Sequence, residues 1–163
     1  MTAVVDTSIV FGFYSIRDKY HLDSVAILFH VAKGVWGKVF ITNHLLDEIV
    51  NVLKYRVSPD TARDFIEKFI GKGIICVEHV SRDLEQEALE LFKENIYRKG
   101  FSYTDAVTIV FMREYGIDYL LTHDLRSFHG FIENIVGPGY WNSLSSSEKR
   151  LIIRLLKGSY GEI

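Results

Sequence analysis

Cysteine is almost absent from this chain: Cys76 is the only one in 163 residues. No intrachain disulfide and no multi-cysteine zinc site can form. A reducing compartment, the cytoplasm, is the expected location. Proline is equally scarce, with two residues, and only twelve glycines are present, which excludes collagen-like and proline-rich architectures. No apolar run approaches the ~20 residues that cross a bilayer. Met1 leads into Val4-Val5-Asp6 without a basic stretch or long apolar core. No signal peptide and no membrane partner are therefore expected. Charge of one sign is also lacking: the net value is −2 with histidine neutral. A nucleic-acid ligand would have to meet local positive charge, because cationic contacts to phosphate supply most of the affinity. Familiar catalytic motifs are missing as well. The chain has no G-x-x-x-x-G-K-[S/T], no G-x-G-x-x-G, no G-x-S-x-G and no H-E-x-x-H, which argues against the chemistries those loops support. An aspartate-based phosphotransferase would want a second Asp two residues after Asp6, where Ser8 stands.

What is present fits one soluble globule. Hydrophobic residues make up 48% and charged residues 25%, too apolar for a disordered chain. At roughly 150 residues per domain, one domain is expected over 1–163. Such a chain buries about 70% of its unfolded surface and needs no staple to fold.

Periodicity and punctuation divide the chain. Thr2–Val5 reads as a buried first strand ending in Asp6-Thr7-Ser8, and Leu22–Val35 as a helix ended near Gly34 and Gly37. The latter has Lys33 as its only Lys or Arg, so it lacks the basic face of a membrane-surface helix and belongs in the core. Lys38–Thr42 is a second strand, followed by helical spacing in Leu45, Leu46, Ile49, Val52 and Leu53. Ser58-Pro59-Asp60 opens a helix to about Ile70, by a serine cap with proline at the first helical position. Ile74–Val77 reads as a third strand, and Leu84, Ala88, Leu91 and Phe92 mark the next helix. Ser102 caps a helix from Tyr103 to about Tyr115. Tyr119–Thr122 is a fourth strand and Ile132–Val136 a candidate fifth. Ser145 to Glu148 forms a capping box before an amphipathic C-terminal helix, 145–157, ended by Gly158. Gly137-Pro138-Gly139 is the one candidate hinge. Alternating strands and helices imply an α/β fold with a mostly parallel sheet covered on both faces.

Acidic residues carry the chemical signal. Sites in open parallel sheets lie beyond the carboxyl ends of the strands. Asp6 follows strand one, and Asp124 lies three residues past Leu121 in strand four. Glu48 lies in the first turns of the helix after strand two. Asp105 lies in the first turn of the helix leading to strand four. All four face one edge if the sheet winds as expected. Clustered carboxylates repel one another unless cations intervene, and an all-oxygen set suits Mg²⁺ or Mn²⁺. Such ions support phosphodiester hydrolysis. Each acid also has a plainer role open to it. Asp6 and Asp124 can cap turns, and Asp105 can complete a capping box with Ser102. Glu48 can be a solvated surface acid beside Asp47.

Taken together, Val4-Val5-Asp6-Thr7-Ser8, Leu46-Asp47-Glu48-Ile49-Val50, Tyr103-Thr104-Asp105-Ala106 and Leu121-Thr122-His123-Asp124 with Phe128 resemble the PIN-domain family. This is the nuclease fold of VapC-type toxins and RNA-processing enzymes. The resemblance covers about residues 1 to 137. It implies a three-layer α/β/α fold with about five parallel strands, and frequent homodimers. It implies that Asp6, Glu48, Asp105 and Asp124 bind one or two divalent ions and hydrolyse RNA. Asp6 and Asp105 would hold the principal ion and Asp124 would complete that site or a second one. Glu48 would act through water. Ser8, Thr104 and Thr122 would support the acids. An antitoxin peptide is a partner the resemblance allows. The other function class left open is a non-catalytic PIN-like module binding RNA or protein in an RNA-processing assembly. Glu133, after Phe128, receives no role.

Basic residues near the acids in sequence are Lys54, Arg56, Arg98, Lys99 and Arg126. The terminal helix carries Lys149, Arg150, Arg154 and Lys157, which read first as a solvated face beside Leu151, Ile152 and Leu155. Tyr55, Tyr97 and Tyr103 have the chemistry to stack bases, but their helical spacing points to core or boundary positions. His123 reads as a polar surface residue beside Asp124.

Overall fold

β-Branched residues at the start of the chain build the centre of the sheet. In the computed structural model, which describes residues 1–160 and side chains through 156, Ala3, Val4 and Val5 of β1 (Thr2–Val5) are fully buried. A strand buried on both faces belongs in the interior of a parallel sheet. β1 indeed lies between β2 (Lys38–Thr42) and β4 (Tyr119–Leu121). β3 (Cys76–Glu78) and β5 (Ile135–Val136) form the edges, giving the order β3-β2-β1-β4-β5. Every pairing is parallel, with Val4 aligned to Phe40 on one side and to Leu120 on the other. Parallel neighbours require crossovers, here helical, which flank the sheet with helices. The expected α/β architecture with five parallel strands is the one observed.

The helices are α1 (Thr7–Tyr14), α2 (His21–Ala32), α3 (Asn43–Arg56) and α4 (Pro59–Phe65), which runs into a π-helical turn (Ile66–Ile70). After β3 come α5 (Arg82–Glu94) and α6 (Tyr103–Tyr115), then α7 (Leu125–Phe128), α8 (Tyr140–Ser143) and α9 (Ser146–Tyr160). In α6 every residue from Ala106 to Met112 is buried. Its middle two turns are buried on every side, which makes it a central helix, as the amphipathic α5 beside it is not. α2 is buried through Val25 to Leu28, in the core as its lack of basic residues requires.

Several boundaries differ from expectation. α1 follows directly on Asp6, where only a turn was read. α2 stops at Ala32 rather than Val35, and the second half of the helix opened by Ser58 is a π-helical turn. β3 begins at Cys76; Ile75 is buried but outside the ladder. β4 ends one residue before Thr122, and β5 covers only Ile135 and Val136. α9 continues past Gly158. Residues 161–163 of the expected domain and the Lys157 side chain lie outside the described residues.

The consequence for function is a crevice. The chain steps outward from β1 to β2 and β3, then returns to the other side of β1 for β4 and β5. That reversal is the topological switch point at which α/β sheets bind ligands. The carboxyl ends of β1 and β4 open there. The Asp6 amide donates to Leu121 O at 2.9 Å and the Thr122 amide to Val136 O at 2.9 Å, so both strand ends are held in register just where the acids emerge.

Candidate active site

Asp6 is the residue at which β1 becomes α1. It caps α1 and is buried. Its Oδ2 accepts from Ser8 Oγ at 2.6 Å, from the Ser8 amide at 3.3 Å and from Thr122 Oγ1 at 2.7 Å. Burial pushes its carboxyl above the usual range, against the lowering effect of those bonds. The two hydroxyls use their protons on Asp6 and accept in turn. Ser8 Oγ takes the His123 amide at 2.9 Å and Thr122 Oγ1 the Asp124 amide at 3.0 Å.

The other three acids converge from separate elements. Glu48 projects from the second turn of α3. Burial raises its carboxyl, and so does the charge of Asp6, while the Thr7 and Thr104 hydroxyls favour its ionised form. The buried Thr7 hydroxyl stands near it without closing a hydrogen bond. Neighbouring Asp47 faces away and accepts from Asn51 Nδ2 at 3.1 Å. Asp105 sits in the first turn of α6 in a reciprocal capping box: Ser102 N donates to its Oδ2 at 2.7 Å and its own amide to Ser102 Oγ at 3.1 Å. Burial pushes its carboxyl up to about 7, with added repulsion from Asp6 and Asp124, against the lowering bonds from Ser102. Asp124 caps α7, accepting from Ser127 Oγ at 2.6 Å and the Ser127 amide at 3.1 Å.

The four carboxylates line one cleft of about 320 Å³ together with Thr7, Ser8, Phe11, Val52, Arg56, Gly100 and Ser102. Their electrostatic coupling is direct: Asp6 raises Glu48 and Asp105, and Asp124 raises Asp105. Among the described residues no three His, Cys, Asp or Glu side chains are already closed into a metal-holding group. The donor set is all carboxylate and hydroxyl oxygen, which fits a hard divalent cation; burial disfavours the ionised forms of Asp6, Glu48 and Asp105, and a bound cation would favour them. A larger cavity, about 510 Å³, lies elsewhere and is mostly apolar. Its one carboxylate, Asp64, is taken up by Tyr14 Oη at 2.6 Å and by Lys68, so size alone does not pick out the site.

The model of the PIN domain family matches residues 3–131. This chain belongs to the PIN domain family. The PIN domain here is 43% identical, over 157 residues and 96% of both chains, to a VapC ribonuclease of Archaeoglobus fulgidus. Its fold is similar to the crystal structure of Mycobacterium tuberculosis VapC20, a sarcin–ricin-loop-cleaving toxin. The TM-score is 0.63 and the identity 26%, covering 80% of this chain and 97% of that one.

All four acids singled out in the sequence therefore share one cleft. Ser8 and Thr122 bond to Asp6, and Thr104 lies against Glu48. Ser127 was missed. It holds both oxygens of Asp124, and the Asp124-x-x-Ser127 spacing of a helix cap was its only signal. Two other expectations are corrected. His123 is not a free surface residue: its ring stacks on Tyr20 at 4.5 Å, its Nε2 lies 2.8 Å from Ser24 Oγ, and burial lowers it to about 4. Tyr55 and Tyr97 are not core or boundary residues but are 74% and 99% exposed. Of the α9 stripe, Ile152 is buried against Val25 and Ala26, whereas Leu151 is half exposed.

Proposed function

We propose that this PIN domain is a divalent-metal-dependent ribonuclease, the toxin of a toxin–antitoxin pair, acting as a homodimer and held by an antitoxin peptide. The observation that carries the reading is the cleft shared by Asp6, Glu48, Asp105 and Asp124, an all-oxygen set in which burial raises the carboxyls of Asp6, Glu48 and Asp105. The Archaeoglobus fulgidus relative is a ribonuclease, which supports RNA as the substrate.

Asp6 and Asp105 would hold the principal Mg²⁺ or Mn²⁺, with Asp124 completing that site or a second one. When bound, the ion supplies an activated water and charge stabilisation on the phosphodiester. Glu48, the acid on α3, orients the attacking water and accepts its proton. Ser8 and Thr122 fix the Asp6 rotamer, Ser127 fixes Asp124, and Thr104 favours the charged Glu48. Held this way, the carboxylates need little reorganisation when substrate arrives.

The test is cleavage of structured and single-stranded RNA with Mg²⁺, with Mn²⁺ and with chelator, with Asp6→Asn protein alongside. Metal-dependent cleavage that disappears in the variant is the expected result. Retained Mn²⁺ binding without cleavage of any RNA would instead favour a non-catalytic binding module.

A further inference from the structure

Five basic residues stand near the acids in sequence, and the structure separates them. Arg98 Nη2 donates to Arg126 O and His129 O at 2.7 Å each, and its guanidinium lies 4.7 Å from the Phe131 ring centre. Arg126 Nη2 donates to Lys99 O at 3.0 Å. Both arginines tie loops together. Lys54 lies over Tyr55, and neither it nor Lys99 lines the acid cleft. Arg56 does line it, beside Phe11. Its guanidinium rests 4.9 Å from the centre of the Phe11 ring. Among the described residues it makes no hydrogen bond and no ion pair, not even with the carboxylates of its own cleft.

The helix sets its reach. Glu48, Val52 and Arg56 recur every four residues along α3, and all three line the cleft. Eight residues of helix span about 12 Å, and helical side chains lean back toward the N-terminus. The Arg56 head is thus displaced along the cleft from the acids rather than placed among them. A guanidinium lying on an aromatic ring keeps its edge of N–H donors open. The two non-bridging oxygens of a phosphodiester match that edge. An anionic strand approaching four carboxylates needs such a contact.

We infer that Arg56, seated on Phe11, grips the RNA phosphodiester adjoining the one at the acids and so sets how the strand enters the cleft. The inference rests on the ribonuclease reading above. It makes Arg56 a substrate-binding residue and Phe11 the platform that positions it.

The experiment measures two things. Anisotropy of a labelled single-stranded RNA gives Kd in the Asp6→Asn background, where cleavage is off. Cleavage with Mn²⁺ gives KM and kcat in the otherwise native protein. Arg56→Ala is expected to weaken binding and raise KM by roughly five- to fifty-fold, the worth of one charge-assisted bidentate contact. It should also lower the slope of log Kd against log salt by about 0.7, one phosphate contact to a single strand, and leave Mn²⁺ affinity unchanged. Arg56→Lys should restore the slope but only part of the affinity, because an ammonium is a point charge. Phe11→Leu should weaken binding with the slope kept. If the native protein cleaves RNA and Arg56→Ala changes neither Kd, KM nor slope, the inference is overturned and the ribonuclease reading stands. If the native protein neither binds nor cleaves RNA, both fall.

Discussion

Thr122 Oγ1 donates to Asp6 Oδ2 at 2.7 Å across the junction of β4 and β1, while accepting the Asp124 amide at 3.0 Å. One buried hydroxyl thus sets the position of two acids. Thr122→Val keeps the shape and removes both bonds. Cleavage should fall roughly ten- to hundred-fold, the usual cost of losing a group that orients metal ligands. Thr122→Ser should retain most of it. The check is kcat/KM and Mn²⁺ affinity measured side by side.

Asp105→Asn should abolish cleavage and leave the fold intact. The Asn carbonyl can still accept from the Ser102 amide, so the cap of α6 survives. Only the charge is lost. Circular dichroism matching the native protein, with cleavage at background, is the expected pair of results. Native-level cleavage would remove Asp105 from the site.

The same residue sets a pH dependence in metal-free protein. Its carboxyl rises from an ordinary value of 3.8 to about 7 in the fold. A raised group favours the folded state when protonated. That contribution is complete below about pH 4 and lost as pH climbs through about 7. In chelator, the melting temperature of Asp105→Asn should therefore gain several degrees on the native protein between pH 5 and pH 8. Adding Mn²⁺ at pH 8 should stabilise the native protein more than the variant.

His123 works in the opposite direction. Burial lowers its ring to about 4, so the neutral form is the folded one. The associated stability is present above about pH 6.5 and is lost as pH falls through about 4. Its ring proton resonances should not titrate between pH 5.5 and 8 in NMR spectra, whereas those of an ordinary histidine do. A midpoint near 6.5 would show that the Tyr20 stack and the Ser24 contact do not hold in solution.

Gly137 has no room for a side chain. A Cβ there would stand 1.8 Å from Thr122 O. Gly137→Ala should cost about 1–3 kcal/mol, as overpacking does, and should reduce cleavage because the backbone it displaces carries Thr122. Urea unfolding and the cleavage assay together test the coupling.

Much of this site could be read from the residues. The acids stand at strand ends and first helical turns, positions that short apolar runs and capping serines mark locally. What escaped was set by tertiary contact. α1 was not seen because Ile9, Val10, Phe11 and Phe13 surround Gly12 without a polar face. Gly12 is there because α2 crosses close by, with Ser24 Oγ 2.3 Å from where a Cβ would lie. α7, four residues long, is too short to carry a period, and β5 was placed but is too short for its bounds to be read. The placement of His123 depends on Tyr20 and Ser24, about a hundred positions away, and no local pattern announces it.

Asp6, Asp105 and Asp124 each take part in the cap of the helix that starts beside them. The capping role and the proposed chemical role fall on the same three carboxylates. An Asp codon becomes an Asn codon by one base change, and asparagine caps a helix as well as aspartate does. A lineage can therefore silence this protein in a single mutational step without a folding defect to expose the change. Among relatives, a well-folded chain with a neutral residue at one of these three positions is the form in which a disarmed copy would persist.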